Sequence, residues 1–383
     1  MIKRRLHLRL PKGQSAFLWG PRKTGKTTLL RQQFPDSLVY DFLRTDLFVD
    51  YAKRPALLRE QLLAKPPHVL RHPVILDEVQ KVPQILDEVH WLIETKRVQF
   101  ILCGSSTRKL KRGQANLLGG RAWRCELFPL VSTELGAVNL LRALNHGLIP
   151  SHYLEEGERK SLTAYVLDYL KEEVFAEGLT RNIPAFSRFF DAMGYAHGEL
   201  INYSNIARDC GVDAKTVREY YHILCDTLLG TIIEPFKTRP HRQVISAASK
   251  FYLFDVGVAG IITKRRVEEE RGEAFGRAFE HFILMELLAY RSYTEADFPI
   301  HFWRTKSGLE VDFILGDAEV ALEIKGASRV DPRDLTSLKA FVEERHPRKA
   351  IVVCNERVAR ISGPLRIMPW KDFLSALWAG HIL

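Results

Sequence analysis

The segment Gly20-Pro21-Arg22-Lys23-Thr24-Gly25-Lys26-Thr27 places a glycine, four free residues and then Gly-Lys-Thr in one short stretch, a spacing suited to holding phosphate. In such a loop the backbone amides converge on phosphate oxygens, the Lys26 ammonium neutralises the terminal phosphates, and the Thr27 hydroxyl ligates magnesium, with Thr28 closing the cradle. A lysine-rich surface turn would share this composition. The flanks favour phosphate binding, because the apolar run Ala16 to Trp19 precedes the loop and helix-compatible Thr28 to Arg31 follows it. Further along, Val74-Ile75-Leu76 ends in Asp77-Glu78. There Asp77 is suited to the magnesium shell and Glu78 to polarising an attacking water. Alone, such a run is a strand tipped by solvated acids; downstream of a phosphate loop the catalytic reading is stronger. A third apolar run, Gln99 to Gly104, ends in Ser105, which either senses the terminal phosphate or caps a helix. Arg121, after Gly119 and Gly120, is either an arginine finger or an ordinary surface arginine.

A second set of chemically capable residues lies near the C-terminus. Runs at Ile300 to Thr305, Leu309 to Leu315 and Ala318 to Lys325 read as strands after a long helix, about Glu273 to Arg291. Gly316-Asp317 reads as a two-residue hairpin turn pairing Leu315 with Ala318. In that register one face is wholly apolar, and the other carries Asp312 across from Ala321 and diagonal to Glu323, with Lys325 beyond. Asp312, Glu323 and the Ile324 carbonyl suit a magnesium ion, and Lys325 suits stabilising a phosphorane or orienting water. The solvated face of an amphipathic hairpin would carry the same charges, so both readings stand.

Between these sets, Tyr203, Ile206, Ala207 and Cys210 recur at helical spacing and Gly211 ends that helix. Asp213 caps the next helix, whose inner stripe is Val217, Tyr221, Leu224 and Leu228. The pattern is helix-turn-helix. Lys215, Arg218 and His222 face outward, and the basic stretch Lys237, Arg239 and Arg242 suits a wing. Duplex DNA is one reading of this face and protein interaction is the other, since Glu219 and Asp226 share it.

The elements needed to position these groups fit a chain of 383 residues, long enough for two or three domains. The boundaries expected are 1–135 for the phosphate-binding domain, 136–163 for a loop-rich linker or lid, 164–250 for the helical domain and 251–383 for the last. A hydrophobic fraction of 46% with 27% charged residues is ordinary for a globular protein. The net charge of +10 and pI near 9.3 favour phosphate-bearing partners. Five scattered cysteines without Cys-x-x-Cys spacing point to a reducing, cytoplasmic compartment and no zinc site. No apolar run reaches membrane-spanning length, so no membrane partner is expected.

Gly20-Pro-Arg-x-x-Gly-Lys-Thr-Thr, Leu76-Asp-Glu-Val-Gln80-Lys-Val-Pro83, Gly104-Ser-Ser, Leu118-x-Gly-Arg121 and Phe128-Pro-Leu-x-Ser-x-Glu134-Leu together resemble the prokaryotic, archaeal-type AAA ATPases that carry a C-terminal domain of unknown function. That resemblance implies a five-stranded parallel sheet with the phosphate-loop strand near its centre, and ATP hydrolysis with magnesium. Gly276-Arg-Ala-Phe-Glu280, Val311-Asp312 and Glu323-Ile-Lys325 resemble the PD-(D/E)xK nuclease superfamily, particularly its Holliday-junction-resolvase-like members. That likeness implies Glu280 as an accessory metal-site acid, Asp312 and Glu323 as ligands for magnesium or manganese, and Lys325 as the catalytic lysine. Val311 stands where the family carries proline, and the additional glutamine motif is missing. The expected fold class is therefore α/β: an AAA-type P-loop sheet, a winged-helix-like helical domain and a restriction-endonuclease-like α/β domain. The expected function is an ATPase coupling nucleotide state to a DNA-binding or nuclease-like module, with duplex or branched DNA, a homo-oligomer, or proteins docked through the last domain as partners. The alternatives are a nucleotide switch and scaffold with an inactive nuclease fold, and a ring-forming DNA translocase.

Overall fold

The strand β1 (Ser15–Trp19) is buried along its entire length, as a continuous apolar run requires when both faces of a parallel sheet are covered. It lies inside a five-stranded sheet with β2 (Val39–Asp41), β3 (Val74–Asp77), β4 (Phe100–Gly104) and β5 (Ala122–Glu126), in the order β2-β3-β4-β1-β5. Every pairing in this sheet is parallel. The phosphate-loop strand is fourth of five. Phe17 stacks on Trp19 at 5.2 Å and packs with Leu76, Leu102 and Val89 in the core on one face. The coordinates, a computed structural model, describe residues 2–108, 118–154, 159–170, 182–237 and 248–383. Arg239 and Arg242, expected on a wing, lie outside the described residues.

The chain forms two compact units, Met1–Pro129 with Ile223–Leu229, and Leu130–His222 with Gly230–Leu383. The expectation of a loop-rich linker over 136–163 is corrected by helices at Leu140–His146, Pro150–Leu154 and Lys160–Ala164. Glycines at 136 and 147 suggested a loop, yet Asn139 caps the first helix by accepting from Arg142 N at 3.0 Å, and Leu140 and Leu144 are buried.

The helices Ile183–Tyr195, Tyr203–Cys210 and Ala214–Asp226 follow, then β6 (Gly230–Pro235) and β7 (Lys250–Leu253), which pair antiparallel. Gly211 at φ 69° ends the second helix, and Asp213 Oδ1 caps the third by accepting from Thr216 N at 2.8 Å. Tyr220 and Tyr221 pack on Phe189 at 5.1 and 5.0 Å, which fixes the inner face of the third helix. An isolated bridge joins Leu200 to Lys250.

β6 also runs parallel to β8 (Ile300–Arg304), so the hairpin continues an eight-stranded sheet. The rest of that sheet is β9 (Glu310–Leu315), β10 (Val320–Lys325), β11 (Lys349–Cys354), β12 (Arg360–Ser362) and β13 (Leu365–Pro369), in the order β12-β13-β11-β10-β9-β8-β6-β7. The expected boundary between residues 250 and 251 thus falls inside β7. The long helix runs over Gly272–Tyr293.

The hairpin register needs correction. Leu315 pairs with Val320 rather than with Ala318, and Ala321 with Ile314 rather than with Asp312. The turn is four residues long because Gly316 and Ala318 both adopt left-handed φ, 67° and 60°, and Glu319 N donates to Leu315 O at 3.1 Å. A slip of two residues keeps every side chain on its expected face. It also sets Asp312 opposite Glu323 when the ladder is extended by one residue. The acid-bearing face is not solvated, since Ile314 and Ala321 pack with Leu338 and Phe341 of the helix Thr336–Arg345.

Candidate functional site

The loop after β1 is shaped by close packing. A Cβ on Gly20 would stand 2.5 Å from the Leu127 carbonyl oxygen, so only glycine fits there. Gly25 takes φ 93° and Lys23 φ 64°, turning the chain into the helix Lys26–Gln33. Thr24 Oγ1 donates to Pro21 O at 2.8 Å and braces the turn. Lys26 is buried, its Nζ donating to Gly20 O at 2.7 Å and Pro21 O at 3.0 Å. Thr28 is exposed on the first helical turn.

Thr27 Oγ1 donates to Asp77 Oδ2 at 2.7 Å, so the two groups expected around magnesium are side by side. Their chemistry fits the ion: a hydroxyl and a carboxylate at the end of adjacent elements, with a buried ammonium next to them. Glu78 follows Asp77 in left-handed backbone, φ 56°, which turns its carboxylate away from the strand direction. Its Oε2 accepts from Gln80 Nε2 at 2.5 Å and lies 3.9 Å from Arg22 Nη2. Burial raises the Glu78 carboxyl above its ordinary value, against the charges of Lys26 and Arg22. Gln80 Nε2 also donates to Ser105 Oγ at 3.1 Å, so Ser105 reaches the acid through Gln80.

Arg121 is placed elsewhere. Its carbonyl accepts from Ser15 N, at the start of β1, and its Nε pairs with Glu94. β1 rises about 3.3 Å per residue, so Arg121 stands roughly 17 Å from Gly20 at the opposite end of the strand.

The second group of acids surrounds the ends of β9 and β10. Asp312 Oδ2 accepts from Ile324 N at 2.7 Å, and Glu323 Oε1 pairs with Lys325 Nζ at 2.7 Å. Glu323 is 3% exposed and its Oε2 is buried with no hydrogen-bond partner. Glu280 Oε1 accepts from Tyr252 Oη at 2.5 Å. Burial lifts all three carboxyls to about 7, reinforced by Asp312 for Glu280 and by Glu323 for Asp312, and opposed by Lys325 for Glu323. Burial, the largest single influence, would lower Lys325, but the charge and hydrogen bond of Glu323 together with the charges of Asp312 and Asp334 outweigh it and the ammonium is raised. Among the described residues no three His, Cys, Asp or Glu side chains are gathered to hold a metal ion. The orphaned Glu323 oxygen does fit a cation, while the other acids are each engaged by a protein partner.

On the helical face Lys215, Arg218 and His222 are exposed, and so is Lys237 at the end of β6. Arg218 lies over the Tyr203 ring at 5.0 Å.

Residues 12–136 match the model of the AAA domain family. This segment is similar to AAA-type P-loop domains. Residues 138–269 and 275–373 match two domains of unknown function, DUF8612 and DUF4143. No curated protein matches the chain. Among solved structures it is similar to an ORC1 protein of Aeropyrum pernix, solved in complex with DNA, at 12% identity over 66% of this chain and 86% of that one, with a TM-score of 0.24. It is also similar to a signal transduction ATPase with numerous domains, with a tetratricopeptide repeat sensor, from Pyrococcus horikoshii. That match has 13% identity over 77% of this chain and half of the other, with a TM-score of 0.20. Among the described residues no helix is long and apolar enough to cross a membrane.

In residues 12–136 the motif spacing assigns Gln80 no role, although it stands two residues after Glu78. Arg4 was missed as well: it is 6% exposed and donates to Thr24 O at 2.5 Å, Phe128 O at 2.7 Å and Pro129 O at 3.1 Å, clamping the phosphate loop. No periodic or spacing signal marks it within the basic N-terminus. In the second unit Lys250 and Tyr252 escaped notice because they come from β7, distant in sequence from the motif, whereas Glu310 lies on the acid-bearing face of β9 and gains a role only through Lys250.

Proposed function

We propose that the chain hydrolyses ATP with magnesium at Lys26, Thr27, Asp77 and Glu78, and that its nucleotide state governs a nucleic-acid-directed second unit. The observation that carries the reading is the 2.7 Å contact of Thr27 Oγ1 with Asp77 Oδ2, beside a buried Lys26 and a Glu78 carboxylate held by Gln80. Thr27 and Asp77 would hold magnesium with bound ATP, where it would neutralise phosphate charge. The chain's own part is then positional. Arg22 to Thr28 present backbone amides to phosphate oxygens, Lys26 turns from the Gly20 and Pro21 carbonyls to the phosphates, and Glu78 orients the attacking water. Ser105 acts through Gln80 on the same acid.

In the second unit, the order of three helices and an antiparallel hairpin supports a winged helix, with Lys215, Arg218 and Lys237 on phosphates of duplex or branched DNA. Glu280, Asp312, Glu323 and Lys325 support a PD-(D/E)xK-like phosphodiesterase site for magnesium or manganese. A scaffold with an inactive nuclease fold is favoured by one observation, the engagement of these acids with protein partners. Cleavage of plasmid and branched DNA with manganese, by wild type, Asp312→Ala and Lys325→Ala, tests the choice. Loss of cleavage in both variants supports the nuclease, and equal cleavage by all three removes it.

A further inference from the structure

The acid cluster of the second unit holds a cation that belongs to the protein. Lys250, at the first position of β7, has a side chain only 5% exposed. Its Nζ lies 2.5 Å from Glu310 Oε1 and 3.8 Å from Glu280 Oε1, and 5.4 Å from the centroid of the Phe302 ring. The other Glu310 oxygen pairs with Arg304 at 2.6 Å. A buried ammonium costs desolvation unless carboxylates offset it, and here Glu310 and Glu280 do so. Meanwhile Ile324 N and Lys325 engage Asp312 and Glu323, leaving Glu323 Oε2 buried and without a partner.

We propose that the Lys250 ammonium, paired with Glu310 and Glu280, holds the cation position of the acid cluster that also contains Asp312 and Glu323, so that a divalent metal ion enters this cluster only by displacing it. The inference rests on reading Glu280, Asp312 and Glu323 as metal ligands, and it makes the β6–β7 hairpin, which lies outside the nuclease-like motif, the element that sets metal affinity. A divalent ion and an ammonium a few ångströms apart repel strongly in a partly buried site, so the two exclude each other.

The test is manganese binding to the nucleotide-free full chain, followed by the electron paramagnetic resonance signal of free Mn2+. Wild type, Lys250→Met, Glu323→Gln and the double variant are compared. Lys250→Met is expected to bind about tenfold or more tightly than wild type at a site that Glu323→Gln abolishes. Equal Glu323-dependent binding by wild type and Lys250→Met overturns the role of Lys250. Absence of any Glu323-dependent binding in either overturns the metal-site reading itself. Because Lys250→Met leaves Glu280 and Glu310 short of a counter-charge and can fail to fold, a second measurement uses wild type alone. Reductive methylation of Lys250, read by peptide mass spectrometry, should accelerate about tenfold when Mn2+ is raised to millimolar levels, as a buried amine becomes exposed. A rate that manganese leaves unchanged overturns the displacement.

Discussion

Replacing Gln80 with leucine removes a group that touches no substrate and yet should slow hydrolysis sharply. Gln80 Nε2 bridges Glu78 Oε2 at 2.5 Å and Ser105 Oγ at 3.1 Å. It is wedged tightly, since a Cβ on Gly104 would come within 2.4 Å of its Oε1. A hydrogen bond to a charged group contributes about 1.5–3 kcal/mol. If that contribution is realised when Glu78 orients the water, losing it lowers kcat by about ten- to 150-fold. The hydrogen bond also favours the ionised carboxylate, so Gln80→Leu should move the Glu78 titration further upward, beyond the rise that burial already causes. Steady-state phosphate release across pH 5.5 to 9 reads both effects. The expected result is a reduced kcat, an acidic limb displaced to higher pH, and little change in KM. An unchanged kcat, or a loss confined to KM, refutes the idea that Gln80 positions the acid.

Other outcomes follow from the same geometry. Gly20→Ala drives a Cβ to 2.5 Å from the Leu127 carbonyl oxygen, so nucleotide affinity should fall about tenfold or more by calorimetry, with a lower Tm; normal affinity contradicts the packing account. Arg121 lies at the far end of β1 from its own loop, so Arg121→Ala should slow hydrolysis only at protein concentrations where copies associate; unchanged rates at all concentrations end the finger hypothesis. Glu280 has a folded pKa of about 7, above the ordinary carboxyl value, so the native state binds more protons than the unfolded one between about pH 4 and 7. Its contribution to stability is therefore complete below pH 4 and lost as pH rises through 7. The difference in urea stability between wild type and Glu280→Gln should shrink or reverse from pH 5 to pH 8, and a pH-independent difference contradicts the assignment.

What could be read from sequence was local. The phosphate loop and the apolar run ending in Asp77-Glu78 are contiguous motifs whose strand, turn and helix follow from neighbouring residues, and β1 and β3 form as their composition requires. The acid hairpin was legible as two faces, because parity survives a register slip of two; the register itself depended on left-handed backbone at Ala318, which carries no strong sequence signal. Lys250 could not be found this way. Its proximity to Glu280 and Glu310 arises from β6 joining β8, a long-range pairing that no local pattern encodes.

In the proposed mechanism Glu78 activates water at a magnesium-ATP site built on Lys26, Thr27 and Asp77. Pre-steady-state ATP turnover by Glu78→Gln, with nucleotide binding measured on the same protein, tests it most directly. The expected result is retained magnesium-dependent ATP binding and a rate of hydrolysis reduced about a hundredfold or more. Hydrolysis at the wild-type rate by a variant that binds ATP normally would contradict it.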